Sequence, residues 1–559
     1  MSHVFGIDLG TTNSVIAHLV DGRPVAVPVE GSRIVPSVVL YEDHRVVVGR
    51  EARNLEMLWP ERCVRSVKRR MGTVHRYSIA GRELAPEDVS ADILSALKQG
   101  AEKVTGIPVR DVVITVPAYF DDAQRRATLE AGQRAGLHVL RLLNEPTSAS
   151  LLYERVLHPE VLRVAEPEIL LVYDLGGGTF DVSVLEVFQG VREVRSTSGN
   201  THLGGDDFDD KLVQLFLEDL KKQGVDPRED VRAMARLRQL AEETKIRLSE
   251  DISVQVKEEF LTQVQGRPIH LELEVRRRDF EALIEPLLES TVALTRQALA
   301  EARLEGQSLS KICLVGGSTR IPRVRQMLEE AFGVDIHEEV DPDLAVGLGA
   351  AIQAGMLSGE PVGRILVDVA SHSLGMRVLG EGDWGSSVPD MFAPVLRRNT
   401  VLPAVKVEEF YTLVSEQELV QVEVLQGESR RASENTRVGA FEFPLEPRPA
   451  NSPVRVEFAY DLNGVVKVSV SQPGTANAKT VALSVADVGK ATQALAPGQS
   501  AVERKGHALL ERLSPGPRAE LERLLGEYAR AQGAMRERAE EALLDFFLNL
   551  DHGSGLPES

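Results

Sequence analysis

The chain has 559 residues, 43% hydrophobic and 26% charged, with a formal net charge of -20. That length is too great for one core and implies about two to four domains of ordinary globular composition. With only Cys63 and Cys313, a disulfide framework and a cysteine-rich metal site are excluded, and a reducing cytoplasm is the expected compartment. The acidic balance argues against a nucleic-acid surface. No apolar run approaches the ~20 residues of a membrane helix, so no membrane partner is expected. The start, MSHVFGIDLG, lacks the basic and apolar regions of a signal peptide.

VFGIDLGTTNS, residues 4–14, reads as an apolar strand, an Asp-Leu-Gly turn and entry into a second alternating strand over 15–20. Arg65, Lys68, Arg69 and Arg70 form a basic cluster that an ordinary solvated face would explain. VITVPAYF (113–120) reads as a strand, DDAQRRATLEAGQRAG as a helix, and Glu145 falls where the strand of LRLLNEPTSAS passes into the next helix. A helix-capping acid would explain Glu145 equally well.

LVYDLGGGT, residues 171–179, repeats the first turn, with Asp174 at the place of Asp8. A repeat this far apart implies two related halves facing each other rather than a short-period solenoid. A dinucleotide fingerprint requires its glycines to open a helix. Here the residues after the glycines alternate with period two, so the turn closes a hairpin. Glycines let successive backbone N–H groups approach an anion, and an aspartate entering each copy can hold the water shell of Mg²⁺.

THLGGDD (201–207) precedes a helix, and ICLVGGSTR (312–320) is a strand ending in Gly-Gly. In LAEETKIRLSE, Glu242, Lys245 and Ser249 share one helix face, either a charged stripe or a wall touching ribose and base. DPDLAVGLGAAIQAGML suggests Asp341 as an N-cap, Pro342 at the first helical position, and a small-residue helix able to pack closely at a hinge. GRILVDV (363–369) leads into 373–486. There LVQVEVLQGE, VRVEFAY and VVKVSVSQ, broken by the turn Leu462-Asn463-Gly464, predict an antiparallel β-sandwich. Residues 499–550 can form three short amphipathic helices, with Leu521, Leu524, Leu525 and Tyr528, then Ala539, Leu543, Phe546 and Leu550, as their apolar faces.

In order, IDLGTTNS, VPAYF-DDAQR, NEPTSAS, YDLGGGTFDVS, THLGGDDFD and LVGGSTRIP resemble the motifs of the 70-kDa heat-shock chaperones, over about residues 2–485. The resemblance implies a two-lobed α/β ATPase domain of the actin and sugar-kinase fold over 1–362, and a linker over 363–372. An antiparallel β-sandwich over 373–486 would bind peptide, and 487–559 would form a short helical lid. It implies ATP/ADP and Mg²⁺ as ligands, with K⁺ as a second cation it admits. Gly10, Thr11, Thr12 and Asn13, with Gly176, Gly177 and Gly178, would cradle the phosphates. Asp8 and Asp174 would hold Mg²⁺ through water, Glu145 and Asp181 would bear on the metal and attacking water, and Lys68 would contact the γ-phosphate. Thr179 is a candidate autophosphorylation site. Gly204, Gly205, Glu242, Lys245, Ser249, Gly316, Gly317, Ser318, Arg320 and Asp343 would line the nucleoside side.

The same resemblance places Ile365, Leu366, Val367, Asp368 and Val369 in a linker that docks on the ATPase when ATP is bound. Met376, Leu379, Phe410, Val420, Val422 and Val465 would line a groove for extended peptide, although sandwich core is an equally good reading of each. Tyr119, Asp121, Asp122, Arg141, Asn144, Thr147, Glu193, Val194 and Asp368 fall where J-domain co-chaperones contact the family. A nucleotide exchange factor is the other expected partner, beside unfolded polypeptide clients. Segment 380–396 is longer than the family's loop and adds Trp384, Met391 and Phe392, segment 70–91 is shorter than in many bacterial members, and the lid is about half the usual length. A small-molecule kinase or an actin-like assembly ATPase of the same superfold are the alternatives, but neither has a use for a β-sandwich behind an apolar linker.

Overall fold

The computed structural model describes residues 3–157, 167–188, 191–303, 309–334, 336–337, 341–360, 365–381 and 387–482. Beyond these it describes Leu510, 515–531 and Met535, Ala539, Ala542, Leu543 and Phe546. Among the expectations above, those on Gly363, Arg364, Trp384, Leu550 and most of 487–559 lie outside the described residues. The chain divides into two compact units, Met1–Ser371 and His372–Ser559. The division falls inside the expected linker, whose first described residues belong to the first unit.

The first unit is α/β and carries two six-stranded sheets built on the same plan. In one, Val4–Asp8 pairs antiparallel with Asn13–Val20 and parallel with Asp111–Val116, which pairs parallel with His138–Asn144. In the other, Glu168–Leu175 pairs antiparallel with Phe180–Phe188 and parallel with Lys311–Val315, which pairs parallel with Ile336–His337. The repeat first visible as two Asp-Leu-Gly turns therefore extends through four strands of each sheet. The glycine-rich turn is a hairpin as expected: Asp174 stands opposite Asp181, Leu175 opposite Phe180, and Gly176 N–H donates to Thr179 O at 3.0 Å.

Each sheet has its own apolar core, one around Phe5, Ile7, Ile114 and Phe120, the other around Tyr173, Phe180, Phe208 and Phe280. A third core joins residues of both sheets, including Val4, Val113, Leu143, Val172 and Cys313, to the helices Glu145–Leu157 and Ala345–Leu357. Their close approach requires glycine. A Cβ on Gly349 would lie 1.9 Å from Ser148 O, and one on Gly6 would lie 2.2 Å from Ala351 N. The small-residue helix thus packs as its sequence implied, but it starts later than expected. Leu344 is its N-cap, while Asp341 heads the preceding turn, accepting through its carbonyl from Leu344 N–H and giving its carboxylate to Arg320.

In the second unit, the strands in order Ser387–Leu396, Leu374–Glu381, Leu419–Gln426 and Thr436–Pro444 make one antiparallel sheet. Ala404–Tyr411, Pro453–Tyr460, Val466–Ser471 and Ala478–Ala482 make the other. Alternation decides the inner faces: Val454, Val456 and Phe458 are buried, and so are Val466, Val468 and Val470. The turn at Leu462-Asn463-Gly464 is held by Asp461, whose Oδ1 accepts from Asn463 and Val465 N–H, and Gly464 takes φ 69°. The helix Pro515–Arg530 buries Leu521, Leu524, Leu525 and Tyr528 in a cluster with Leu543 and Val414. Leu510, Ala539 and Phe546 flank that cluster.

Candidate functional site

The two glycine turns meet. A Cβ on Gly177 would stand 1.8 Å from Thr12 Oγ1, and one on Gly178 would stand 2.5 Å from Thr11 Cγ2. Gly10 is equally constrained, since its Cβ would lie 2.0 Å from Asn13 O. Ser37 fixes the first turn by donating from Oγ to Gly10 O at 2.8 Å and from N–H to Thr12 O at 2.8 Å. The second turn rests on the segment from Gly204: Gly205 N–H donates to Gly176 O and Asp206 N–H to Gly177 O, at 3.0 and 2.7 Å. Ser318 Oγ also donates to Gly176 O, at 2.9 Å. Thr12 Oγ1 is buried without a protein partner, a hydroxyl left available where the turns converge.

Below the turns lies a buried charged cluster. Asp8 ends its strand, Asp174 is the last residue but one of the equivalent strand, Asp181 stands across the hairpin from Asp174, and Glu145 begins its helix directly after the strand His138–Asn144. Lys68, 4% exposed, donates to Glu145 Oε1. Thr115 Oγ1 donates to Asp8 Oδ1 and Tyr119 N–H to Asp181 Oδ1, both at 2.9 Å. Burial, then the charge of Glu145, pushes both Asp8 and Asp181 up to about 7. The same two causes hold Asp174 well above the carboxylate range. Burial alone would lower the Lys68 pKa, but Glu145 and Asp8 outweigh it and raise it. Four carboxyl groups thus face one ammonium, and Asp174 Oδ2 is buried with no partner.

Among the described residues no three His, Cys, Asp or Glu side chains converge closely enough to ligate a metal directly. The excess of buried acid and the orphaned Asp174 oxygen instead fit a divalent cation held through its own water shell.

Among the residues expected to line the nucleoside, Glu242 is taken by two arginines from distant segments, Arg53 at 2.8 Å and Arg65 at 3.0 Å. Burial works to raise the Glu242 pKa, yet Arg65 and Arg53 overcome it and hold the group below its ordinary value. Lys245 bonds Asp209, and Ser249 Oγ bonds back to Lys245 O at 3.4 Å. Arg320 pairs with Asp341 and Asp343, each at 2.8 Å, and Gly316 N–H donates to Pro342 O, so Gly316, Gly317, Ser318, Arg320 and Asp343 gather at one place.

The basic cluster is not a solvated face. Arg69 Nε donates to Gly178 O at 3.1 Å and its guanidinium pairs with Asp207, while Ser66, in the left-handed region at φ 52°, donates to Asp206 Oδ2 at 2.6 Å. Only Arg70 of the four is exposed. A left-handed serine two residues before Lys68 is strain of the kind found at functional sites. Ser37, Arg53, Thr115 and Asp209 carried no local signal, because their roles arise from contacts distant in sequence.

Ile365–Val367 forms an edge strand of the second sheet, pairing parallel with Val191–Glu193, and Asp368 and Val369 are buried behind it. Asp368 Oδ2 accepts from Asn144 Nδ2 at 2.9 Å, and Asn144 Oδ1 accepts from Arg125 at 2.8 Å. Asn144 is the residue before Glu145, so one peptide bond separates the linker contact from the charged cluster.

Of the residues assigned to a co-chaperone surface, Tyr119, Asp121, Arg141 and Glu193 are partly exposed. Asp122, Asn144, Thr147 and Val194 are buried, as is Asp368, so these side chains, expected on that surface, do not face solvent. Asp121 caps its helix through Gln124 N–H at 2.9 Å, and Asp122 pairs with Arg126 at 2.6 Å. In the second unit Met376, Val422 and Val465 are buried, while Leu379, Phe410 and Val420 are half-buried. Val420 and Val422 share a face of their strand with Val424, which stands opposite Met376.

The family model described as Hsp70 protein matches residues 4–79 and 74–505. The chain is 43% identical over 492 residues to the protein named Chaperone protein DnaK in Thermotoga petrophila, covering 86% of this chain and 80% of that one. It is equally similar to the protein of the same name in Thermotoga neapolitana, with the same coverage. Matches of this length and identity, on a chain whose two glycine turns meet and which buries a Lys–Glu pair among aspartates, place it in a family: this chain belongs to the Hsp70 family of ATP-hydrolysing molecular chaperones.

Proposed function

We propose that the junction of the two turns is where the ATP phosphates sit, and that lobe closure on them is transmitted to the linker. The observation that carries this reading is the meeting of Gly177 and Gly178 with Thr12 and Thr11, in turns entered by Asp174 and Asp8, whose charges act on the buried Lys68. Gly10 to Asn13 and Gly176 to Gly178 offer backbone N–H groups to phosphate oxygens. Lys68 neutralises charge on the γ-phosphate. Asp8 and Asp174 hold Mg²⁺ through water, with Glu145 adjoining; when bound, the ion supplies charge neutralisation along the phosphate chain. Glu145 and Asp181 orient the attacking water, and Thr179 is the hydroxyl in place to be phosphorylated. Gly204, Gly205, Glu242, Lys245, Ser249, Gly316 to Ser318, Arg320 and Asp343 receive the nucleoside.

On this reading residues 1–362 are the ATPase domain, 363–372 the linker, 373–486 the peptide-binding sandwich and 487–559 a short lid. Clients are extended apolar segments of unfolded protein, held by main-chain hydrogen bonds and side-chain pockets around Leu379, Phe410 and Val420, with Met376, Val422 and Val465 as the groove floor. A basic J-domain co-chaperone docks beside the linker on an acidic surface containing Asp121 and Glu193. An exchange factor acts at the cleft, and the cytoplasm is the proposed compartment. ATP binding measured with and without Mg²⁺ tests the site. Wild type should bind at least tenfold more tightly with the ion, and Asp174→Asn should lose most of that gain. Equal ion dependence in the two would remove Asp174 from the metal side.

A further inference from the structure

Asp209 lies on the helix Gly205–Lys222 and Lys245 on the helix Val231–Glu250. Asp209 is 8% exposed, and its Oδ2 stands 2.8 Å from Lys245 Nζ. Lys245 Nζ also donates to Gly205 O at 3.1 Å. An ammonium has three N–H donors. Two are used here, one on each side, which fixes the end of an otherwise flexible four-carbon chain and leaves the third N–H for a ligand oxygen. Gly205 leaves no slack, since a Cβ there would come within 3.0 Å of Lys245 Nζ and 2.8 Å of Ser318 Oγ. The same Gly205 donates its N–H to Gly176 O of the second glycine turn. The chain of contacts Asp209–Lys245–Gly205–Gly176 therefore ties a buried carboxylate to the phosphate turn. Asp209 Oδ1 is buried without a partner, so the fold accepts an incompletely satisfied acid at this place.

We infer that Asp209 is a positioning residue for nucleotide: it holds Lys245 so that one N–H meets the nucleoside and Gly205 is kept under the phosphate turn. The inference rests on the nucleoside-side role proposed for Lys245. Burial, against the pull of Lys245, raises the Asp209 carboxyl to about 6. The ion pair is consequently complete above that pH and weakened below it. The other charged groups acting on Asp209 are Glu242 on the helix of Lys245 and Asp206 on its own helix.

The test is a double-mutant cycle on the full chain, with dissociation of a fluorescent ADP analogue as readout. Lys245→Met and Asp209→Asn should each weaken ADP binding roughly tenfold, the scale of a charged hydrogen bond. Asp209→Asn should raise the KM for ATP more than it lowers kcat. In the Lys245→Met background it should cost less than about twofold further. Full additivity would make Asp209 merely structural and overturn the inference. Unchanged ADP affinity in Lys245→Met alone would instead overturn the assignment of Lys245 beneath it. A second measurement needs no Asp209 variant: as pH falls from 7 to 5.5, ADP release should accelerate more in wild type than in Lys245→Met, where Asp8 and Asp181 still take up protons but the Asp209 pair is gone. Equal acceleration in both proteins would also overturn it.

Discussion

Alanine at Gly177 would put a methyl carbon 1.8 Å from Thr12 Oγ1, where ordinary contact begins at 3.4 Å, so Thr12 would have to swing away or the two turns part, by up to about 1.6 Å if the threonine stays in place. The next nearest atom, Thr12 Cβ at 3.0 Å, prevents rotation of the threonine from absorbing the whole clash. Misplacing reacting groups by ~1 Å can cost ~100-fold in rate, so Gly177→Ala should slow single-turnover ATP hydrolysis at least that much. The lobes should nevertheless stay folded, because Gly177 lies in a turn outside the three apolar cores. The assay is single-turnover hydrolysis at saturating ATP, with thermal unfolding as the folding control. Thr12→Ala added to Gly177→Ala removes the offending oxygen and should recover at least tenfold of the lost rate. If Gly177→Ala hydrolysed ATP at the wild-type rate, the turns would not close on each other in the reacting state, and the phosphate-site reading would fail.

Lys68→Ala should leave nucleotide binding measurable but reduce single-turnover hydrolysis by at least ~100-fold, the scale of one transition-state donor; an unchanged rate would remove Lys68 from the chemistry. Arg65→Ala deletes one of the two arginines on Glu242 and should speed ADP release roughly two- to fivefold, the range of a partly exposed ion pair, read by stopped-flow fluorescence; unchanged or slower release would remove this pair from the retention of nucleotide. Asp368→Ala severs the contact to Asn144 and should abolish peptide stimulation of ATP hydrolysis while sparing peptide affinity in ADP; stimulation retained in full would refute coupling through that contact. Asp209 has a folded pKa raised from 3.8 to about 6, so its contribution to stability is complete below 3.8 and is lost as pH rises through 6. The shift corresponds to about 3 kcal/mol. Asp209→Asn should therefore gain stability relative to wild type between pH 4.5 and 7.5 in urea unfolding, and a pH-independent difference would contradict the burial argument.

Much of the site was legible because its residues are local to their motifs. Asp8 and Asp174 precede paired glycine turns, and Glu145 announces a strand-to-helix junction by its place between Asn144 and Pro146. Period-two alternation after Thr179 correctly excluded a dinucleotide turn, and the sandwich strands followed the same signal. What the sequence could not display were pairings between segments far apart along the chain. Lys68 and Arg69 look like neighbours on a solvated face, yet one is buried against Glu145 and the other reaches Gly178 and Asp207. Glu242 and Lys245 share a helix face, but their partners Arg53, Arg65 and Asp209 come from elements that no spacing rule links to it. The start of the small-residue helix was misplaced for a local reason: Asp341 has a capping residue's chemistry, but its carboxylate is committed to Arg320 and the helix begins at Ala345. The residues expected to line a peptide groove could not be told from core by pattern, since strand alternation turns both toward the same face.

The central claim is that ATP hydrolysis in this chain is coupled to holding an unfolded polypeptide. It is tested most directly by steady-state ATPase rates with an extended apolar peptide, with a sugar and with neither, together with peptide release in ATP and in ADP. Of these additions the peptide alone should accelerate hydrolysis, and ATP should release it at least tenfold faster than ADP does. Hydrolysis indifferent to peptide, with release rates the same in both nucleotides, would contradict it.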